Sequence, residues 1–176
     1  MKKHVLTDEE LFCLEGCRDY EQYFEMRKRF ESEACPFCNV DTKTNTILYE
    51  DESWMVWENP YPRKTLMVQL VIVCKWHVRF LEELPEEAWL DFFRVIQWIE
   101  GTEGKYSLGK GGNLHVRFGP MNDNAGTVPH LHWNYWIPNG TGEVKIPVFK
   151  DPKDREKNKV RAAEFATRYE AGEFPV

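Results

Sequence analysis

No stretch of this sequence approaches the roughly 18 to 20 consecutive apolar residues of a membrane-spanning helix, so no span is expected. Basic residues are in deficit: 23 Lys and Arg stand against 29 Asp and Glu, a formal net charge of −6. A general binder of nucleic-acid polymers or anionic membranes would carry the opposite balance. An anionic small molecule stays open, held by local donors rather than by a global field. Histidine is scarce at five, and the five cysteines are an odd number. The opening MKKHVLTDEELF has two lysines but no apolar stretch behind them, which argues against a secretory leader and for a cytoplasmic protein. In that setting free thiols or a metal site suit the cysteines better than a disulfide framework. Neither an internal repeat nor a low-complexity tract is present.

What is there is aromatic. The 176 residues are 42% hydrophobic and 14% aromatic, with seven tryptophans, enough for a sizeable core in one domain or one domain with an appendage. Residues 7–31 read as a helix, with Thr7 as N-cap and Glu10 as the other half of a capping box; Gly16 weakens its middle. Cys13 and Cys17, four apart on one face, read as packing residues. TILYE and SWMVWE are short strands around the acidic turn EDE, and ENPYPRK with its two prolines is a loop. TLMVQLVIVC, residues 65–74, is the apolar run of a strand buried on both faces.

Residues 84–100 form the clearest helix, with Trp89, Phe92, Phe93, Val95, Ile96 and Ile99 as its apolar stripe. NLHVRFG and HLHWNYWI are strands joined by the polar loop PMNDNAGTV, an arrangement suited to an active-site hairpin. Near the C-terminus Ala162, Phe165, Ala166 and Tyr169 mark a charged amphipathic helix. The fold class expected is α+β, a mainly antiparallel sheet covered by a few helices.

Two motifs carry chemistry. In PHLHWNYW, residues 129–136, strand alternation puts His130, His132 and Asn134 on one face and Leu131, Trp133 and Tyr135 on a core face. CPFC places Cys35 and Cys38 at a spacing that can grip one tetrahedral Zn²⁺. The other two ligands would come from His4, His77, His115, His130 and His132. A redox pair and two structural cysteines share the same spacing.

The order CPFC, ILYEDESWMVWENP, LVIVCKWHVRFLEELPEE, NAGTVPHLHWNYWIPN resembles the histidine triad (HIT) superfamily over roughly residues 34–138. The resemblance implies a HIT-like nucleotide-binding domain at 34–140, between an N-terminal helical extension (1–33) and a C-terminal strand and helix (141–176). It also implies a homodimer that hydrolyses or transfers nucleotidyl groups through a covalent nucleotidyl-histidine. By position His132 is the nucleophile, and Cys35, Cys38, His77 and His130 bind a structural Zn²⁺. Phe37, Trp57 and Asn59 would meet the nucleoside.

The third triad position is Asn134 rather than His, which departs from the small hydrolases and leaves hydrolase and transferase both open. It puts an NH₂ donor beside His132 for a phosphate oxygen, but no transferable proton. From the residues themselves, Gly126 and Thr127 suit the rest of the phosphate. Asn122 and Asn124 are secondary candidates there, because short amides in loops commonly stabilise turns. His115 reads as structural, and Arg117 as either a source of positive charge or a partner of a surface carboxylate. Besides an enzyme acting on a nucleoside phosphate or dinucleoside polyphosphate, two other functions fit. One is a nucleotide-binding module that has lost turnover, and the other a redox or zinc-regulated protein using Cys35 and Cys38.

Overall fold

The computed structural model describes residues 5–101, 112–124, 126–144 and 152–175, apart from the side chains of Asn122, Pro152 and Asp154; His4 lies outside this set. In chain order the elements are α1 (Asp8–Glu15), α2 (Tyr20–Glu31), β1 (Ile47–Glu50), β2 (Trp54–Glu58) and β3 (Leu66–Cys74). They continue as α3 (Glu86–Gly101), β4 (Asn113–Arg117), α4 (Met121–Asn124), β5 (His132–Pro138) and α5 (Pro152–Glu170). The fold is α+β, with a five-stranded antiparallel sheet of order β1-β2-β3-β5-β4. No described helix is long and apolar enough to cross a membrane. Two compact units interleave along the chain: one takes the described residues of 40–118 and 130–146, the other those of 1–39, 119–129 and 147–176.

The first unit is the sheet and α3. Asp51 of the EDE turn accepts the N–H groups of Ser53 (2.8 Å) and Trp54 (2.7 Å), which closes the turn between β1 and β2. The continuous apolar run becomes β3, the central strand, with all but Met67 of its nine residues buried. Val68, Leu70, Ile72 and Cys74 of β3 pack with Trp133, Tyr135 and Ile137 of β5 and with Ala88, Val95 and Ile99 of α3. The Trp54 indole enters this core and donates to the Ala88 carbonyl at 2.7 Å, so its one polar atom is satisfied.

The buried face of α3 differs from the expected stripe. Ala88, Asp91, Val95 and Ile99 are buried, whereas Trp89 and Phe93 are 40% and 62% exposed. Phe93 lies two positions from Val95, about 200° round the helix, so the two cannot share a face. A carboxylate takes the buried place instead: Asp91 accepts the Ser53 hydroxyl and pairs with Arg94 at 2.6 Å.

The second unit is helical. Thr7 and Glu10 form the expected capping box, but the single helix of 7–31 is two, broken at Gly16. Asp19 restarts the chain as N-cap of α2, accepting the Gln22 N–H at 2.9 Å. Cys13 and Cys17 are buried with Tyr20, Tyr23, Met26 and Phe30, and α5 lays Ala162, Phe165, Ala166 and Tyr169 against them.

Gly16 has ordinary right-handed backbone angles, so conformation does not demand glycine there. Space does: a Cβ would stand 2.8 Å from the Gly126 carbonyl oxygen. Gly16→Ala should therefore lower the urea midpoint, by roughly 1–3 kcal/mol of overpacking, although alanine is the better helix former. An unchanged or raised midpoint would contradict this packing.

Candidate active site

Strand β5 runs between β3 and β4, and its register fixes which side chains meet. Val73, His132 and Arg117 align across the three strands, as do Val71, Asn134 and His115, and Gln69, Trp136 and Asn113. Directly opposed residues share a face. The alternation that sends Trp133, Tyr135 and Ile137 into the core therefore puts His132, Asn134 and Trp136 on the other side. Both histidine-bearing strands contribute to that side.

His132 opens β5 and is partly buried. Its Nδ1 lies 2.7 Å from the His130 carbonyl oxygen. A carbonyl can only accept, so Nδ1 carries the proton and Nε2 carries the lone pair. Burial pushes the ring's pKa down to about 4, opposed by the bond to His130 and aided by the Arg117 charge. At neutral pH the imidazole is uncharged.

His130 precedes the strand and is 3% exposed, so it is not presented outward beside His132 as strand alternation suggested. Its Nε2 lies 2.7 Å from the Cys74 carbonyl, which leaves Nδ1 with the lone pair, the reverse of His132. The exposed ring of His77 stands edge-on to it, centroids 5.0 Å apart at 84°.

Asn134 is 9% exposed, with its Oδ1 3.2 Å from the Gln69 Nε2. His115 packs edge-on against Trp136 at 4.0 Å, and burial, then the charges of Arg117, His132 and Arg63, push its pKa down to about 4. Trp57 pairs with Val71, and so lies on this same face; it is buried. Asn59 follows β2, where its Oδ1 accepts the Tyr61 N–H at 2.8 Å and shapes the NPYP loop.

The other predicted residues belong to the helical unit. Cys35 is partly buried and Cys38 exposed, in a turn closed by the Asn39 N–H to the Cys35 carbonyl at 3.1 Å. Burial of its sulfur, then the neighbouring Cys35, push the Cys38 thiol up to about 11. Without a cation beside it, the Cys38 thiol resists ionisation. None of the five cysteines is joined in a disulfide. Phe37 packs against the buried cluster of this unit.

In the 119–129 loop, Asn124 donates to the Gly119 carbonyl (3.0 Å) and accepts the Gly126 N–H (2.7 Å). Both ends of that amide serve the turn. Gly126 is buried, and a Cβ there would stand 2.9 Å from the Asn124 Oδ1; Thr127 is partly buried. The Asn122 side chain lies outside the described residues.

No family model matches the chain, and no curated protein does. Solved structures do. A Zn-bound histidine triad family protein from Mycobacterium smegmatis matches at 24% identity over 80% of this chain and 99% of that one, with a TM-score of 0.46. A HIT family hydrolase from Clostridium thermocellum matches at 27% identity over 65% and 97%, TM-score 0.48. A hypothetical histidine triad nucleotide-binding protein from Sulfolobus tokodaii matches at 21% over 76% and 93%, TM-score 0.45. The chain is similar to HIT family proteins.

Sequence reading overlooked Gln69. Its signal was present: one amide inside LMVQLVIVC, where any unpartnered polar group is costly.

The low pKa values of His115 and His132 have a consequence for stability. Unfolded histidine titrates near 6.5 and these rings near 4, so between those values the unfolded chain binds protons that the folded chain refuses. The stability these groups contribute is complete above pH 6.5 and is lost as pH falls toward 4. The urea midpoint should fall from pH 7 to pH 4.5, and His115→Gln should lose less of it over that interval. Identical pH profiles for parent and variant would contradict the burial of His115 as a neutral ring.

Proposed function

We propose that the protein is a nucleotidyl hydrolase or nucleotidyltransferase that acts on a nucleoside phosphate or dinucleoside polyphosphate through a covalent bond between phosphorus and His132 Nε2. The observation that carries this reading is the His132 tautomer. With Nδ1–H held by the His130 carbonyl, the Nε2 lone pair attacks phosphorus while the bond from phosphorus to the leaving oxygen breaks and that oxygen takes the electron pair. The Nδ1 proton stays in place, so the nucleotidylated ring is cationic and remains a good leaving group. Water, phosphate or a second nucleotide then takes the nucleotidyl group and frees the ring.

In this reading the strand holds the ring for in-line attack, and the Arg117 guanidinium opposite His132 balances phosphate charge. Asn134 donates its NH₂ to a non-bridging oxygen. Gly126 N–H and Thr127 hold further phosphate oxygens, while Asn124 shapes their loop. Trp57 and Phe37 line the base site, and the Asn59 NH₂, left over from its turn bond, meets a ribose hydroxyl.

Cys35, Cys38, His77 and His130 are proposed to hold one structural Zn²⁺. Two thiolates and two imidazoles are a donor set this ion takes in tetrahedral sites. The His130 tautomer supports the assignment, because its Nδ1 lone pair is the atom a metal needs. The ion would neutralise the paired thiolates and tie them to the histidines, which stabilises the fold.

Two sets of measurements test these proposals, one for the chemistry and one for the metal. Incubation with diadenosine polyphosphates, acid quenching avoided, should leave an AMP adduct on His132 detectable by peptide mass spectrometry. His132→Ala should lower turnover on the order of 10³-fold or more. Tight nucleotide binding with no adduct from any of several dinucleotides would instead establish a binding module. For the metal, about one Zn²⁺ per chain is expected by elemental analysis. A chelator, or Cys35→Ser with Cys38→Ser, should lower the melting temperature, while His132→Ala keeps its zinc. Absence of bound zinc after supplementation, with chelation harmless, would contradict the site.

A further inference from the structure

We infer that Gln69 is a positioning residue that locks the Asn134 amide with its carbonyl turned inward and its NH₂ left for a ligand. The direction of three hydrogen-bonding groups in series fixes this. The Arg63 main-chain N–H lies 3.1 Å from Gln69 Oε1, and a main-chain N–H can only donate. The carbonyl end of Gln69 therefore faces Arg63, and its NH₂ faces the other way, 3.2 Å from Asn134. That NH₂ can only donate, so Asn134 must present its Oδ1 to Gln69 and turn its Nδ2 away.

Reversing either amide would set two donors or two acceptors against each other. Gln69 is 7% exposed and Asn134 9%, too buried for water to relieve the mismatch cheaply. The lock starts from the NPYPRK loop, so its anchor is main chain, which no substitution at position 63 other than proline removes.

The functional part of this inference rests on the proposed nucleotidyl chemistry. Asn134 follows His132 by two residues on the same strand face, about 7 Å along β5, where a phosphoryl oxygen beside the reacting phosphorus would sit. An amide locked with NH₂ outward attracts that anion; one locked the other way repels it. Gln69 touches no substrate and acts only through Asn134.

Two substitutions in the full-length protein separate this from a packing role. Gln69→Glu still accepts from Arg63, but its second oxygen can only accept, so it draws the Asn134 NH₂ inward and reverses the amide. Gln69→Met keeps similar bulk and removes the lock without reversing it. The Asn134 side-chain ¹H–¹⁵N resonances, assigned by their loss in Asn134→Asp, should move in both variants without any ligand. AMP, used as the probe in titration calorimetry, should bind more weakly to Gln69→Glu by about tenfold or more, and to Gln69→Met by less.

Unmoved Asn134 resonances in either folded variant would overturn the lock. Equal weakening of AMP binding in both variants would also overturn it, since that is what lost packing produces. Moved resonances with AMP affinity unchanged in both would uphold the lock and reject the phosphate role of Asn134. If Gln69→Glu fails to fold, Gln69→Met decides by its resonances alone.

Discussion

A main-chain carbonyl decides the chemistry of strand β5. His130 offers its carbonyl oxygen to Nδ1 of His132 at 2.7 Å, while the His130 ring gives its own Nε2 proton to the carbonyl of Cys74 at 2.7 Å. The two bonds fix opposite tautomers in two histidines that are one residue apart. One ring is left with a lone pair on Nδ1, the other on Nε2. Each bond contributes only about 1 kcal/mol to folding, yet together they leave the lone pairs on opposite ring nitrogens, the arrangement on which the proposed metal and phosphorus chemistry rests. Burial completes the assignment by holding both rings neutral, each with its pKa pushed down to about 4.

The rest of the sheet unit serves to keep that pair in place. One face of β3 and β5 packs on α3 mainly through apolar side chains, and there the Trp54 indole donates to the Ala88 carbonyl and the Asp91 carboxylate accepts the Ser53 hydroxyl. The opposite face then carries polar groups whose directions are fixed by one another rather than by solvent. Gln69 takes its orientation from the Arg63 main chain and passes it to Asn134. Flanking strands set the electrostatics: Arg117 of β4 stands opposite His132, and its charge adds to burial in disfavouring the imidazolium.

Much of this was legible before any coordinates. The apolar run at 65–74 reads as a strand buried on both faces and is the central β3, the EDE turn separates two strands as read, and Thr7 with Glu10 caps the first helix. Alternation in HWNYW correctly divides the core face from the opposite one, but it does not extend to His130, which precedes the strand and is buried. What sequence could not supply were facts of packing. Position 16 needs glycine because another loop's backbone occupies the space of a Cβ there, which no local pattern records. Phe93 reads as part of the apolar stripe of α3, while the buried position falls to Asp91, whose partners Ser53 and Arg94 are legible only in space. Gln69 stood out as one amide in an apolar run, but its role depends on a register that pairs β3 with β5. Asn124 shows the reverse case, a candidate phosphate ligand whose amide is already taken up by its own turn at both ends.

The tautomer and charge of His132 can be read directly. In protein labelled with ¹⁵N at histidine, long-range ¹H–¹⁵N spectra distinguish a protonated from an unprotonated ring nitrogen. From pH 8 down to pH 5.5, His132 should keep a protonated Nδ1 and an unprotonated Nε2. A protonated Nε2 in that range, whether as the other tautomer or as the imidazolium, would leave the proposed nucleophile without its lone pair and contradict the account.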